Sequence, residues 1–263
     1  MKSPFLIAVS LGAVALAAAF VPVLWRMLTG SAPSTAGPGQ AVGTPWSIAT
    51  TAPGGSRVFD LSLPGTTLGE VRGRWGDELQ LAVIVGPRSE ASSAPGGGEP
   101  GRLPADPPRS LEGYVEKFQS AGIAGRLLLT FDADPAALAR WAETLPGEPT
   151  ESGARRHALH GTPLDEASSA ALVGVSFIPQ AQLDEAVVSA RFGTPAQRIR
   201  ENARLEHWLY PGVGLAVALD AEGKEVLQYV APADFEARLA APLRAAPAAA
   251  AGSGAGPSPG AAR

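Results

Sequence analysis

Residues 213–230, VGLAVALDAEGKEVLQYV, decide the fold. Val213, Leu215, Val217 and Leu219 recur at every second position, the period of a strand with one buried face. Residues 220–224, DAEGK, then offer a tight turn, and the chain from Glu225 to Val230 resumes as a strand. A hairpin of this kind implies antiparallel pairing. Downstream, Pro232 opens a last helix with Phe235 and Leu239 inward. Upstream, residues 182–193 form an amphipathic helix through Leu183, Ala186, Val187 and Ala190.

Further out the same alternation of elements continues. Residues 171–178 and 125–131 read as buried strands, and Asp134 followed by Pro135 starts a helix whose apolar side is Leu138 and Trp141. Ser110 is placed to cap a helix carrying Leu111, Tyr114, Val115 and Phe118 on one face and closed by Gly122. Residues 79–85 are strand-like, residues 67–76 a short helix, and residues 57–63 a single alternating strand that Pro64 and Gly65 turn. The expected class is α+β, a mainly antiparallel sheet with packed helices. A doubly wound parallel sheet fits less well, because the connections vary in length and no Gly-rich phosphate loop follows a strand.

In front of this domain stands FLIAVSLGAVALAAAFVPVLW, residues 5–25, apolar and uncharged throughout. A helix of that length rises roughly 30 Å, the thickness of a bilayer's hydrocarbon core. The run is too long for the core of a cleaved signal peptide, so residues 1–28 are expected to be a retained transmembrane anchor. Lys2 favours a cytoplasmic N-terminus, which places the C-terminal domain in the periplasm of a bacterial inner membrane. The chain has no cysteine, which excludes a lipidated cysteine, thiol nucleophiles and cysteine-based zinc sites.

The chain has 31 glycines and 25 prolines, and much of this bias is localised in three stretches. Residues 29–55 read as a flexible spacer, residues 86–108 as a mobile insert and residues 242–263 as a disordered tail. The remaining α+β domain, residues 56–241, holds enough chain for a real core and divides into candidate sub-units 56–160 and 161–241.

Chemistry-bearing residues are few. His157 and His160 are close in sequence, but on a strand they point to opposite faces and lack further ligands, so both read as solvated strand-edge residues. Asp132 and Asp134 have the Asp-x-Asp spacing used to hold a divalent ion, yet Asp134 before Pro135 is explained as a helix cap. Ser176 lacks the second glycine of a nucleophile elbow, and His207 reads as a packed or surface residue. No catalytic, cofactor-binding or metal-ligating set follows from these residues. Arg191, Arg198, Arg200 and Arg204 make a modest basic run diluted by Glu201 and Glu206, and with a formal net charge of −4 the chain is a poor nucleic-acid binder. Tyr114, Phe118, Trp141, Phe192, Trp208 and Tyr210 are expected in the core, with an exposed subset serving partners. Trp208, Tyr210, Arg198 and Arg200 form the candidate interaction surface.

From Leu183 to Val230 the order is an amphipathic helix, Phe192-Gly193-Thr194-Pro195, the aromatic segment Trp208-Leu209-Tyr210, and a hairpin turning at Gly223 and Lys224. This resembles the SmpA/OmlA domain of the BamE type of outer-membrane assembly lipoprotein. Residues 64–76, PGTTLGEVRGRWG, resemble the start of the same domain, with Arg74-Trp75-Gly76 matching Arg191-Phe192-Gly193. The resemblance implies a small envelope domain that contacts partners without catalysis, and a helix ending at Gly193 that packs on a sheet built from residues 206–230. The combined expectation is a membrane-anchored, non-catalytic domain that binds another envelope protein, with the membrane held through residues 5–25. The alternative is a membrane-tethered hydrolase or transferase using Asp132, Asp134, His157 or His160, which requires those four side chains to converge.

Overall fold

A computed structural model describes residues 43–87 and 106–245. It opens with a three-stranded ribbon, β1 (Ala49–Thr51), β2 (Gly55–Val58) and β3 (Leu61–Leu63), followed by helix α1 (Leu68–Trp75). Strands β4 (Leu79–Val85), β5 (Arg109–Ser120) and β6 (Ile123–Asp132) form a meander that ends in α2 (Pro135–Thr144). After β7 (Gly147–Pro149), β8 (Arg155–Ala158) and α3 (Thr162–Glu166) comes the long strand β9 (Ala171–Pro179). Helix α4 (Glu185–Phe192) leads into a second meander, β10 (Gln197–Arg200), β11 (Leu205–Tyr210), β12 (Leu215–Asp220) and β13 (Val226–Val230). The described residues close in a helical segment that is π-wound over Glu236–Ala240.

All the large-sheet strands form one antiparallel sheet in the order β10-β11-β12-β13-β9-β6-β5-β4-β8-β7. Strand β9 therefore joins the two meanders, pairing with β6 on one side and β13 on the other. The candidate sub-units 56–160 and 161–241 are two flanks of this one sheet. One face carries the main core, in which Leu81, Leu111, Leu129, Val175, Leu227 and Trp208 meet side chains of α1, α2 and α4. On the other face Phe235 and Leu239 of the C-terminal segment cover Ile199, Leu209, Ala216 and Val230.

Local chemistry explains the helix boundaries. Thr67 accepts from the Glu70 amide while Glu70 accepts from the Thr67 amide, a reciprocal cap that starts α1. Asp134 accepts from Ala136 N and precedes Pro135 at the start of α2. Asp184 accepts from Val187 N, and Gly193, at φ 77°, ends α4.

Five expectations change. First, an N-terminal transmembrane helix is not part of the described fold: residues 5–25 lie outside the described residues, and no described helix is long and apolar enough to cross a membrane. Helix α2, with ten residues, rises about 15 Å, half the thickness of a hydrocarbon core. The transmembrane-anchor reading and the single-pass inner-membrane placement with a periplasmic domain built on it are corrected accordingly. What is described is a fold dominated by antiparallel sheet.

Second, residues 110–122 are not a helix but most of β5 and its turn into β6. A β-bulge between Val115 and Phe118 shifts the side-chain alternation, so Leu111, Val115 and Phe118 all reach the core from a strand. Third, residues 57–63 are not one strand. Phe59 (φ 53°) and Asp60 (φ 60°) form a two-residue turn between β2 and β3. Phe59 is pinned there by ring contacts with Phe118, Phe177 and Tyr229 at 5.2, 5.4 and 5.6 Å. Fourth, the described end of the expected spacer is folded. Pro45 is buried and its carbonyl accepts from the Tyr229 hydroxyl at 2.8 Å, and β1 follows. Of the expected insert over residues 86–108, residues 88–105 lie outside the described residues, and its ends meet where Gly86 N donates to Pro108 O at 2.8 Å. Fifth, the expected disordered tail over residues 242–263 is corrected at its start: residues 241–245 are helical, with Leu243 buried beside Phe235 and Leu239 and Arg244 paired with Glu236, while residues from 246 on lie outside the described residues.

Candidate functional site

The candidate interaction residues gather at one edge of the sheet. Strand β10 pairs with β11 in a register that sets Arg198 opposite Trp208, Ile199 opposite His207 and Arg200 opposite Glu206. Arg198, Arg200, Glu206 and Trp208 thus share one face. The Arg198 guanidinium lies 4.0 Å from the centroid of the Trp208 ring. The Trp208 indole donates to Glu206 Oε2 at 2.8 Å, and the same carboxylate is 3.9 Å from Arg198 and 3.4 Å from Arg200.

Burial divides the four predicted residues. Trp208 is 0% exposed and Tyr210 7%, so neither offers a contact surface. The side chains of Arg198 and Arg200 are 48% and 74% exposed. The aromatic pair acts beneath the surface. Tyr210 donates to Gly193 O at 3.1 Å and its ring lies 5.8 Å from Phe192, which ties the end of α4 to β11. Burial raises the Tyr210 hydroxyl's pKa, and the charge of Arg198 opposes that rise.

The backbone of β10 completes the site. Glu201 N donates to Leu205 O at 3.0 Å, a bond between directly opposed residues. By the alternation of antiparallel ladders, Ile199 then turns its main-chain groups toward β11, whereas Arg198 and Arg200 turn theirs outward. Among the described residues nothing pairs with that outer edge. The opposite edge differs: β7 has three residues, ends in Pro149 and has its Gly147 carbonyl occupied by Arg155 at 2.6 Å. Proline and brevity blunt an edge against further pairing.

The residues weighed for catalysis are not brought together. Asp134 caps α2, and Asp132 ends β6 on the exposed side. His157 sits on β8, with β4 and β5 between it and β6, a separation of about 14 Å at the usual strand spacing. Against expectation His157 is buried, because its Nδ1 finds the Leu145 carbonyl at 2.9 Å. His160 is exposed beyond the end of β8. Ser176 is buried in β9 between Leu128 and Gln228. His207 is buried with Nε2 2.9 Å from Glu201. Among the described residues no group of three or more His, Asp or Glu side chains is placed to hold a metal ion.

Sequence reasoning missed Glu112. It is buried on β5 opposite Thr130 and accepts from Ser110 Oγ at 2.7 Å. Burial pushes its carboxyl up to about 8, against the smaller opposing effect of the Ser110 hydrogen bond. The helix reading of this segment hid it by placing Glu112 on a solvated face. No protein-family model matches the chain, and neither does any curated protein or solved structure.

Proposed function

We propose that the domain is a non-catalytic module that binds another protein. The observation carrying this reading is the contrast between the two sets of polar side chains. Asp134 and His157 are used up in a helix cap and a core hydrogen bond, while Arg198 and Arg200 project, above a fixed Trp208 and Glu206 base, from a sheet edge that no described residue pairs with. A rigid strand with exposed guanidiniums suits recognition, because little side-chain or backbone ordering remains to oppose association.

A photo-crosslinking residue placed at position 200 of the full chain, compared with one at position 148 on the blunted edge, tests the reading in the native cells. A defined protein adduct at position 200 and none at 148 is expected. Equal labelling at both positions, or none at either, would overturn it.

A further inference from the structure

We infer that β10 takes up an extended acidic segment of the partner as an additional antiparallel strand, with carboxylates at alternate positions facing Arg198 and Arg200. This rests on the protein-binding reading above and names the partner's chemistry.

Charge distinguishes this edge from a similar arrangement elsewhere in the molecule. Trp141 also donates its indole hydrogen to a carboxylate, Glu166, at 2.9 Å, and there one guanidinium, Arg140, balances the charge at 2.6 Å. At Trp208 one carboxylate, Glu206, lies between two guanidiniums. Among the described residues, the arginines' face of β10 therefore keeps a surplus positive charge that the Trp141 site lacks. The neighbouring charges sit elsewhere: Arg244 is paired with Glu236, and Arg204 meets two carboxylates, Asp220 and Glu222, but by strand alternation Asp220 and Glu201 belong to the other face. On the same flank Glu201 meets His207.

Geometry fixes the pattern the partner needs. The outward main-chain groups belong to Arg198 and Arg200, so in antiparallel addition the directly opposed partner residues form the hydrogen-bonded pairs and share the arginines' face. Those residues are two apart, which gives an acid-x-acid spacing. The residue between them falls on the other face beside Ile199, next to the apolar cluster of Leu209, Phe235 and Leu239. An alternating acidic and apolar segment satisfies both faces. A second copy of this chain meets a penalty instead, because antiparallel pairing of β10 with itself brings arginines against arginines.

The test uses the full chain and an end-blocked peptide of about ten alternating Val and Glu residues, long enough to cover a strand. Saturable binding that weakens with salt is expected, and none to a Val and Lys peptide. Methylating the Glu amides, which face β10, should abolish binding, whereas methylating the Val amides should not. On the protein, Arg200→Gln removes the charge and Arg200→Pro removes the charge and the outward N–H. The proline variant should bind roughly five- to tenfold more weakly than the glutamine variant, the cost of one main-chain hydrogen bond. The peptide arm holds even if the proline variant unfolds.

Equal binding of both peptides, no binding, or indifference to Glu-amide methylation overturns strand addition. Partner adducts at position 200 that survive Arg198→Pro also overturn it but leave the protein-binding reading standing. A dimer of the full chain that Arg200→Pro dissociates assigns the edge to a second copy and overturns the inference.

Discussion

The Trp208 indole donates to Glu206 two residues before it on the same strand, at 2.8 Å, and the Arg198 guanidinium closes over the ring on the same face. A buried tryptophan with a satisfied N–H thus becomes the fixed base on which a surface charge is held. Glu206→Gln keeps an acceptor for the indole and removes only the negative charge, so stability should change by less than about 1 kcal/mol, the range of exposed ion pairs. Trp208→Ala should cost about 3–5 kcal/mol through loss of packing. Urea unfolding of both variants checks the pair, and similar losses in the two would contradict the division of roles.

Glu112 predicts an unusual pH dependence. Its folded carboxyl titrates at about 8 because of burial, whereas in the unfolded chain it titrates near 4.3. Between these values the folded state holds a proton that the unfolded state has lost. Stability should therefore fall as pH rises through that window, by up to about 1.4 kcal/mol per pH unit, and level off above about 8. At pH below the unfolded value both states are protonated and this effect vanishes. Glu112→Gln should remove the slope and leave the variant more stable than the parent at neutral pH. Urea midpoints from pH 5 to pH 8, read with each protein's own slope, check it, and parallel curves for the two proteins would refute it.

The hairpin from Leu215 to Val230 was readable because both its strands alternate over a buried face and its turn carries Gly223. Caps were readable for a related reason: Thr67 with Glu70 and Asp134 with Pro135 act within one turn of chain. Strand β5 was not, since the bulge after Val115 spaces Leu111, Val115 and Phe118 as a helix would. Nor was the edge position of β10, which depends on the strand order of the whole sheet rather than on its local pairing with β11. The sequence reading grouped Arg198, Arg200, Trp208 and Tyr210 as one contact surface; the two arginines are exposed, whereas both aromatics are buried beneath them.

Gly214 has a requirement that no other residue meets. Its φ is 70°, and a Cβ there would lie 2.1 Å from the Val230 carbonyl oxygen and 3.1 Å from Pro232 N. The amide of Val230 also donates to Gly214 O at 2.9 Å, so the backbone cannot retreat without losing that bond. Gly214→Ala should destabilise by more than about 2 kcal/mol, combining positive-φ strain with the clash. Gly73→Ala, where a Cβ meets nothing within 4 Å inside α1, should be neutral or slightly stabilising. Thermal unfolding of the two variants side by side checks the contrast.

Phe59 combines a left-handed backbone with a buried ring, and the two features oppose each other. At φ 53° a side chain with Cβ is disfavoured, yet the ring is 1% exposed among Phe118, Phe177 and Tyr229. The aromatic contacts must outweigh the backbone cost for the turn between β2 and β3 to form as it does. Phe59→Ala removes the ring and keeps the strain, so it should cost about 3–5 kcal/mol. Phe59→Gly removes both, and at this position it should be more stable than the alanine variant by up to about 1 kcal/mol, the reverse of their order in an ordinary strand. Equilibrium unfolding of the two variants measures the difference, and an alanine variant more stable than the glycine one would show that backbone strain at Phe59 is not felt.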